Sequence, residues 1–236
     1  RQPAYRPAFL QQLMQQRRVF EYWTHAASYV PMTDYRYYGR HRRWHAAGGH
    51  RAQWLQEHRK ITAHVRQRIR DEGPLLAADF KDTEGRRGPW WDWKPAKVAL
   101  EALYDAGELM IAERRGFQRA YDLTERVLPS DLDVTEPDAD ACARWAVHRT
   151  LDNLGVADEA QMRYWFRHRE QLHTAVEQLL AAGEIEPVEV PGADGDALYA
   201  RAVDLRATAR GRPSRRVHLL SPFDNLVIRR RWLQRF

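Results

Sequence analysis

Cysteine and lysine are scarce in this sequence. Cys142 is the one cysteine in 236 residues, so a disulfide framework within the chain is excluded, and the composition fits a reducing cytoplasm. Only four of the 38 basic residues are lysine, so 34 are arginine. No apolar run approaches bilayer length, and the first residues contain no apolar signal core. These absences predict a soluble protein without a membrane anchor.

The motifs of several enzyme classes are also missing. The sequence has no GxxxxGK[ST], GxSxG or HExxH pattern, so neither a nucleotide-hydrolysing enzyme nor a triad enzyme is predicted. His41, His45 and His50 lie in a basic stretch without regularly spaced carboxylate or cysteine companions, and we expect solvated histidines rather than zinc ligands. No metal site and no small-molecule cofactor are predicted. Cys142, in an alanine-rich helix start, is expected to be a small buried hydrophobe.

The charge balance is positive, with a net charge of +6 and a sequence pI near 9.6. Arginine contacts phosphate well because its planar guanidinium pairs bidentately with phosphate oxygens. A GC-rich genome also favours arginine codons. This explains why arginine outnumbers lysine, but not why basic residues outnumber acidic ones. Nucleic acid is therefore favoured as a partner.

One local pattern occurs twice, 76 positions apart. An amphipathic helix stops at Gly107 and another at Gly183, and an extended segment follows each glycine. Glycine suits this position because the residue after a helix often needs a left-handed backbone. The helical spacing from Phe9 to Met14 leads into a strand in the same way without a glycine, which indicates the end of a third copy.

The order of elements predicts an α+β, mostly α fold of tandem winged-helix domains with small β-hairpin wings. The first complete unit has a long helix over 51–72, a short helix over 75–80 and a third helix from Pro95 to Ala106. Its hairpin has strands over 109–113 and 118–123. The second unit has helices over about 138–153, 158–168 and 169–182, and hairpin strands over 185–190 and 197–203.

These elements predict the following domain boundaries. They are 1–32, the end of an incomplete first winged helix; 33–50, a basic connector; 51–128, a winged helix; 129–136, an acidic linker; 137–205, a winged helix; and 206–236, an incomplete Arg-rich C-terminal segment. The chain is expected to be part of something longer.

The two hairpins differ in charge. In a winged helix the third helix usually enters the major groove and the wing lies on phosphates or in the minor groove. The first tip carries Arg114, Arg115 and Arg119, which favours phosphate contact, although a solvated turn is the alternative. The second carries acidic residues that phosphate repels, namely Glu186, Glu189, Asp194 and Asp196. We expect the first complete unit to bind DNA and the second to have a structural role.

Two further features have competing interpretations. The tryptophans Trp90, Trp91 and Trp93 resemble a stacking platform for bases, but core or an inter-domain seam is the favoured interpretation. Glu21 lies between aromatic residues that could raise its pKa and suit it to proton transfer. A lone glutamate on a half-exposed strand is the favoured alternative.

Two motifs carry a family resemblance. They are VFEYWTHAASYVP over residues 19–31 and LLSPFDNL over residues 219–226. Together they resemble the bacterial winged-helix DNA glycosylases of the YcaQ/AlkZ type, and the similarity covers nearly the whole chain. Lys94–Lys97 at the start of the third helix and Gly107–Leu109 after its end are also similar to that family.

The resemblance implies three tandem winged helices in a C-shaped arrangement around duplex DNA. It implies monofunctional excision of alkylated bases, notably N7-alkylguanine, and unhooking of interstrand crosslinks. The family's Gln-x-Asp or Gln-x-Gln motif positions the attacking water and steadies the oxocarbenium charge, which exists only in the transition state. That motif is expected upstream of Arg1, so no catalytic residue is assigned.

The predicted partner is double-stranded DNA, bound by a monomer in the cytoplasm at the nucleoid. The predicted DNA-binding residues are His25, Arg36, Arg40, Arg42, Arg43, Lys94, Lys97, Arg114, Arg115 and Arg119. Two other functions stay open: a non-enzymatic winged-helix regulator or architectural protein, and a protein-interaction scaffold without a nucleic acid partner. A palindromic consensus would favour the regulator, and salt-insensitive or absent duplex binding would favour the scaffold.

Overall fold

The chain folds into two compact units, Arg1–Glu136 and Pro137–Phe236. The structure is a computed structural model. It describes residues 6–24, 26–48, 50–80, 95–165, 171–193, 195–208, 217 and 219–235. Within these residues, no helix is both long enough and apolar enough to span a bilayer.

The first unit combines helices with two small antiparallel sheets. Its helices are α1 (Pro7–Gln15), α2 (Gly39–Ala47), α3 (His50–Glu57), α4 (Arg59–Glu72), α5 (Pro95–Asp105) and α6 (Thr124–Val127). Its strands are β1 (Val19–Trp23), β2 (Ala27–Pro31), β3 (Leu75–Leu76), β4 (Leu109–Arg115) and β5 (Gln118–Leu123). Strands β1 and β2 form a hairpin, while β5 lies between β3 and β4 in a second sheet. Two 3-10 helices cover Met32–Tyr38 and Ala77–Asp79.

The second unit repeats the order of the later part of the first. Its elements are α7 (Ala139–Leu154), β6 (Val156–Ala157), α8 (Glu159–Trp165), α9 (Leu172–Ala181), β7 (Ile185–Val188), β8 (Leu198–Arg201), α10 (Ala202–Thr208) and α11 (Arg230–Leu233). Strand β8 lies between β6 and β7 in an antiparallel sheet. The connection from helix α9 to the hairpin β7–β8 therefore matches that from α5 to β4–β5.

The same turn joins helix to hairpin in three places. Gly107 and Gly183 follow α5 and α9 with φ of +81° and +66°. In each turn, the N–H at this position donates to the carbonyl three residues earlier, and the next N–H donates to the carbonyl five residues earlier. Helix α1 ends with the same two hydrogen bonds, and there Arg17 has a φ of +54°. The recurring turn predicted from the glycines is confirmed, including its copy without glycine.

Each hairpin also closes in the same way. The first residue after its second strand donates its N–H to the carbonyl of the residue that follows the turn. The bonds run from Met32 to Arg18 at 2.9 Å, from Thr124 to Glu108 at 3.1 Å and from Ala202 to Glu184 at 3.0 Å. Because a buried N–H needs an acceptor, this bond fixes where the chain leaves the sheet.

The prediction of one helix over residues 51–72 is wrong, since α3 and α4 separate at His58. The His58 ring stacks on Trp54 with 4.2 Å between ring centroids, and its Nδ1 lies 3.0 Å from the Trp54 carbonyl oxygen. A side chain that bonds to the backbone of the preceding turn competes with helix continuation. The helix period continued through this position in the sequence, so the break was not visible there.

One other local prediction needs correction. The short helix predicted over 75–80 begins instead as strand β3, because Leu75 and Leu76 pair with Tyr121 and Ala120 of β5. Only the 3-10 helix Ala77–Asp79 follows. The segment proposed as a basic connector, 33–50, is largely helical, since it contains most of the 3-10 helix Met32–Tyr38 and all of α2.

The core of the first unit lies between α4, α5 and the two sheets. Val65 and Ile69 of α4 are fully buried, as are Ala99 and Leu103 of α5. These positions belong to the apolar faces predicted for both helices. Phe20 of β1 joins the same cluster, so the first hairpin is part of this core.

Candidate nucleic-acid interface

The tip of the hairpin β4–β5 presents an aromatic side chain to solvent. Arg115 pairs with Gln118 at the end of the ladder, and Gly116 has a φ of +62°, which favours glycine in the turn. The next residue, Phe117, is 98% exposed. Single exposed apolar residues are common on protein surfaces, but Phe117 presents its whole ring at a hairpin tip, uncovered by any of the residues that the structure describes.

Behind the tip, two arginines bind one buried carboxylate. Glu21 of β1 is 2% exposed. Arg114 donates from Nε and Nη2 to its two oxygens at 2.8 and 2.7 Å. Arg119 donates from Nε to Oε1 at 2.7 Å. The hydrogen bonds with Glu21 raise the pKa of Arg114 above its usual range.

The favoured interpretation of Glu21 as a solitary, half-exposed glutamate is therefore wrong. A buried carboxylate needs opposite charge and hydrogen bonds to compensate for lost hydration, and the two arginines supply both. Proton transfer by Glu21 is equally unsupported, because its oxygens are occupied by guanidinium groups. Arg115, in contrast, pairs among the described residues with half-exposed Glu113 at 2.8 Å and stays half-exposed itself.

A polar and aromatic layer lies beneath this ion pair. Tyr22 of β1 donates a hydrogen bond to the carbonyl oxygen of Asp105 at 2.9 Å. His41 Nδ1 lies 3.2 Å from the Tyr22 hydroxyl. Burial raises the pKa of Tyr22 far above its usual value. Burial also raises the pKa of Asp105, although the Arg51 guanidinium 3.1 Å away opposes this. The layer joins β1, α2, α3 and α5 into one rigid support for the hairpin.

A second basic surface follows the 3-10 helix Met32–Tyr38 and α2. Arg36 forms an ion pair with Asp133. Arg43 contacts both oxygens of Glu136, with 2.6 Å between Nη2 and Oε1. The acidic segment predicted as a linker thus lies on the basic connector.

Arg42 also lies on α2, and its side chain contacts Tyr35 and Gly107. It donates to the carbonyl oxygen of Tyr35 at 2.8 Å, and its guanidinium carbon lies 3.7 Å from the centroid of that ring. Burial lowers its pKa below the usual range. Its Cδ packs directly against Gly107, where no space remains for a side chain. Arg42 therefore supports the turn after α5, and its predicted DNA contact is not tested by this geometry.

The other predicted DNA-binding residues divide into two groups. Arg40 is exposed on α2, and Lys97 is partly exposed in the first turn of α5. His25 and Lys94 lie outside the described residues, as do Trp90, Trp91 and Trp93. DNA binding by the ten residues stays a prediction, although Arg114 and Arg119 are not the free cationic tip that the sequence indicated.

The hairpin β7–β8 differs from the first in charge, as predicted. Glu186, Glu189 and Asp196 are exposed, and Asp194 lies outside the described residues. In the same unit, Cys142 is buried beside the Pro137 carbonyl, which confirms its predicted place as a small buried residue.

The histidines of α2 pack against each other and against Tyr22. The rings of His41 and His45 lie 4.6 Å apart, and His41 makes an edge contact with Tyr22. The side chain of His50 lies outside the described residues. In the described part of the chain, no group of three histidine, cysteine, aspartate or glutamate side chains is placed to hold a metal ion.

Comparisons with known proteins identify the family. The model of the family described as "DNA glycosylase AlkZ-like" matches residues 1–236. The chain belongs to this family, which confirms the resemblance stated from the sequence motifs.

A solved structure is similar in fold. The DNA glycosylase AlkZ of Streptomyces sahachiroi superimposes with a TM-score of 0.52 at 14% sequence identity. The match covers 90% of this chain and 60% of that chain. At this identity the likeness concerns the fold, and the chain spans about 60% of the length of the structure it matches.

Proposed function

We propose that this chain is the duplex-binding part of a monofunctional DNA glycosylase that removes alkylated bases, notably N7-alkylguanine, in base-excision repair. The family match across all 236 residues carries this proposal. We extend it to the unhooking of interstrand crosslinks, as the resemblance implies. The protein acts as a monomer on double-stranded DNA in the cytoplasm, at the nucleoid, without a cofactor.

We assign the repeated units to tandem winged helices. The common helix, turn and hairpin order supports this assignment, together with the bond that closes each hairpin. By this assignment α5 and α9 are the third helices of two units, and β4–β5 and β7–β8 are their wings. The domain boundaries proposed from the sequence stay as they are, with 51–128 and 137–205 as the two complete copies.

The first wing is the better candidate for DNA contact. Phe117 is the kind of apolar side chain that minor-groove proteins insert between base pairs, where it unstacks them and bends the duplex. A glycosylase must also extrude its target nucleotide from the helix, and such a side chain suits the resulting gap. Arg115 adds a cation beside it for phosphate.

The chemistry does not require a strong catalyst from this part of the chain. An N7-alkylated guanine is already cationic, so it is a good leaving group, and water replaces it at the sugar carbon. The protein must stabilise the oxocarbenium charge that forms only in the transition state. Glu21 is unsuited to this task because Arg114 and Arg119 neutralise it. No residue of this chain is assigned to catalysis.

The direct test is base release by the full-length protein. Duplex DNA with one N7-alkylguanine is incubated with the protein, and abasic sites are measured by alkaline cleavage. We expect cleavage above the spontaneous rate on the damaged duplex and none on an undamaged duplex of the same sequence. Base release at the spontaneous rate would refute the glycosylase. If the protein then selects a palindromic consensus, the regulator is the better proposal.

A further inference from the structure

The arginine face of the first unit is covered by acids from the same unit. Arg40 and Arg43 are three residues apart in α2, which places them on one side of that helix, and Arg36 lies in the 3-10 helix that directly precedes it. The arginines at both ends of this face are ion-paired, Arg36 with Asp133 and Arg43 with Glu136. Carboxylates here hold the guanidinium groups as phosphate oxygens do.

These ion pairs are partly exposed to solvent. The side chains of Asp133 and Arg43 are 58% and 64% exposed, and their partners Arg36 and Glu136 are 30% and 35% exposed. Ion pairs in contact with water contribute little to stability, because each partner gives up favourable hydration and side-chain freedom. Phosphate offers arginine the same bidentate geometry. The acids can therefore be displaced without loss of the fold.

The position of Glu136 depends on a glycine. A Cβ at Gly39 would lie 2.5 Å from Glu136 Oε2. Gly39 has a φ of −56°, which any residue can adopt. Its backbone therefore does not require glycine, and glycine is unfavourable within helices. The absence of a side chain at Gly39 permits the close approach of the Glu136 carboxylate.

We propose that Asp133 and Glu136 are an internal competitor for nucleic acid phosphate on the face formed by Arg36, Arg40 and Arg43. They occupy the face in the free protein and leave it when duplex DNA binds. The inference rests on the proposed DNA-binding function and adds its regulation: the acidic segment lowers the affinity for DNA in general and weakens the dependence on salt.

The test measures duplex binding by fluorescence anisotropy over a range of salt concentrations, with the full chain and a labelled undamaged duplex. The double variant Asp133→Asn/Glu136→Gln should bind about three- to tenfold tighter, since two exposed ion pairs no longer compete. Its plot of log K against log salt should be steeper, because wild-type binding exposes two displaced carboxylates that take up cations and offset part of the counterion release.

Two controls separate competition from overall charge. Glu125→Gln/Asp131→Asn makes the same charge change at exposed acids that pair with none of the described arginines, and it should leave the slope unchanged. Gly39→Ala leaves the charge unchanged but displaces the Glu136 carboxylate. We expect it to bind DNA about twofold to threefold tighter.

Three results would overturn the inference. One is equal affinity of the acid variant and its charge control. Another is unchanged binding by Gly39→Ala. The third is a gain in affinity that persists when Arg36→Ala and Arg43→Ala are added to the acid variant. If the wild-type protein binds duplex normally in these cases, only the inference fails. If neither the wild type nor the acid variant binds, the proposed function fails with it.

Discussion

Arg119 and Glu21 are 98 positions apart in the chain, yet 2.7 Å separates Nε of the arginine from Oε1 of the glutamate. Arg114 binds the other side of the same carboxylate. The contact joins the hairpin β1–β2 to the hairpin β4–β5 through a group that is withdrawn from water. The removal of one partner from such a pair leaves uncompensated charge, which costs more than the pair itself contributes.

The variant Glu21→Gln should therefore destabilise the first unit. We expect the free energy of unfolding to fall by about 2–4 kcal/mol, because the amide leaves two arginines close together without a counter-charge. Urea denaturation followed by circular dichroism measures the change. The control is Glu113→Gln, which removes the exposed pair with Arg115 and should cost less than about 0.5 kcal/mol. Equal losses for the two variants would contradict the structural role of Glu21.

Arg17 occupies a position where the other copies of the turn have glycine. Its φ of +54° is unfavourable for a residue with a Cβ. We expect Arg17→Gly to raise the free energy of unfolding by about 0.5–1 kcal/mol. The reciprocal change, Gly183→Ala, should lower it by about 1 kcal/mol, because φ there is +66° and no atom lies within 4 Å of the added Cβ. A loss of stability in Arg17→Gly would show that its side chain matters more than its backbone.

The exposed wing tip allows binding to be separated from folding. Phe117→Ala should leave thermal stability unchanged and weaken duplex binding by about tenfold, the scale of one lost aromatic–base stack. Arg115→Ala should reduce the salt dependence of binding by about one phosphate contact. Asp196→Asn on the second hairpin is the matched control and should change neither quantity. If Asp196→Asn matters as much as Phe117→Ala, the assignment of the first wing is wrong.

The second unit contains a pH-dependent ion pair. His173 Nδ1 lies 2.8 Å from Glu159 Oε1, and this hydrogen bond raises the pKa of His173 above 6.5. A raised pKa means that the folded state binds the proton more tightly than the unfolded state does. The contribution of this ion pair to the free energy of unfolding is therefore fully present below about pH 6.5. It is lost as the pH rises through the pKa of His173 in the folded state.

The difference in unfolding midpoint between wild type and His173→Gln tests this dependence. We expect it to be largest below about pH 6.5 and to disappear as the pH rises through the pKa of His173 in the folded state. An NMR titration of the His173 ring should give a pKa above its value in an unfolded peptide. A lower value would contradict the proposed contact.

Local structure was the part of the fold most visible in the sequence. The glycine turns after α5 and α9 involve hydrogen bonds that span at most five residues, so nearby residues decide them. The ends of strands β4 and β5 were predicted within two residues for the same reason. The break at His58 was missed because a side chain, not the apolar period, interrupts the helix. Strand β3 was missed because its partners in β5 are 44 and 46 positions away.

The candidate interface was predicted less well than the fold. The basic residues of the first wing were visible in the sequence, and so was the acidic character of residues 130–136. Neither pattern indicated that Glu21 binds Arg114 or that Asp133 covers Arg36. The exposure of Phe117 depends on the hairpin geometry at Gly116, which the charge pattern of the turn does not indicate.

The sequence by itself determined the kind of protein: its net charge, its repeated turns and its two family motifs are properties of neighbouring residues. Only the tertiary structure decided which charges remain available to a partner. An ion pair depends on distances between atoms, and residues that are 93 to 98 positions apart meet only after the helices and hairpins have packed. Desolvation then makes the Glu21 pairs part of the fold, whereas exposure leaves the pairs of Asp133 and Glu136 open to exchange.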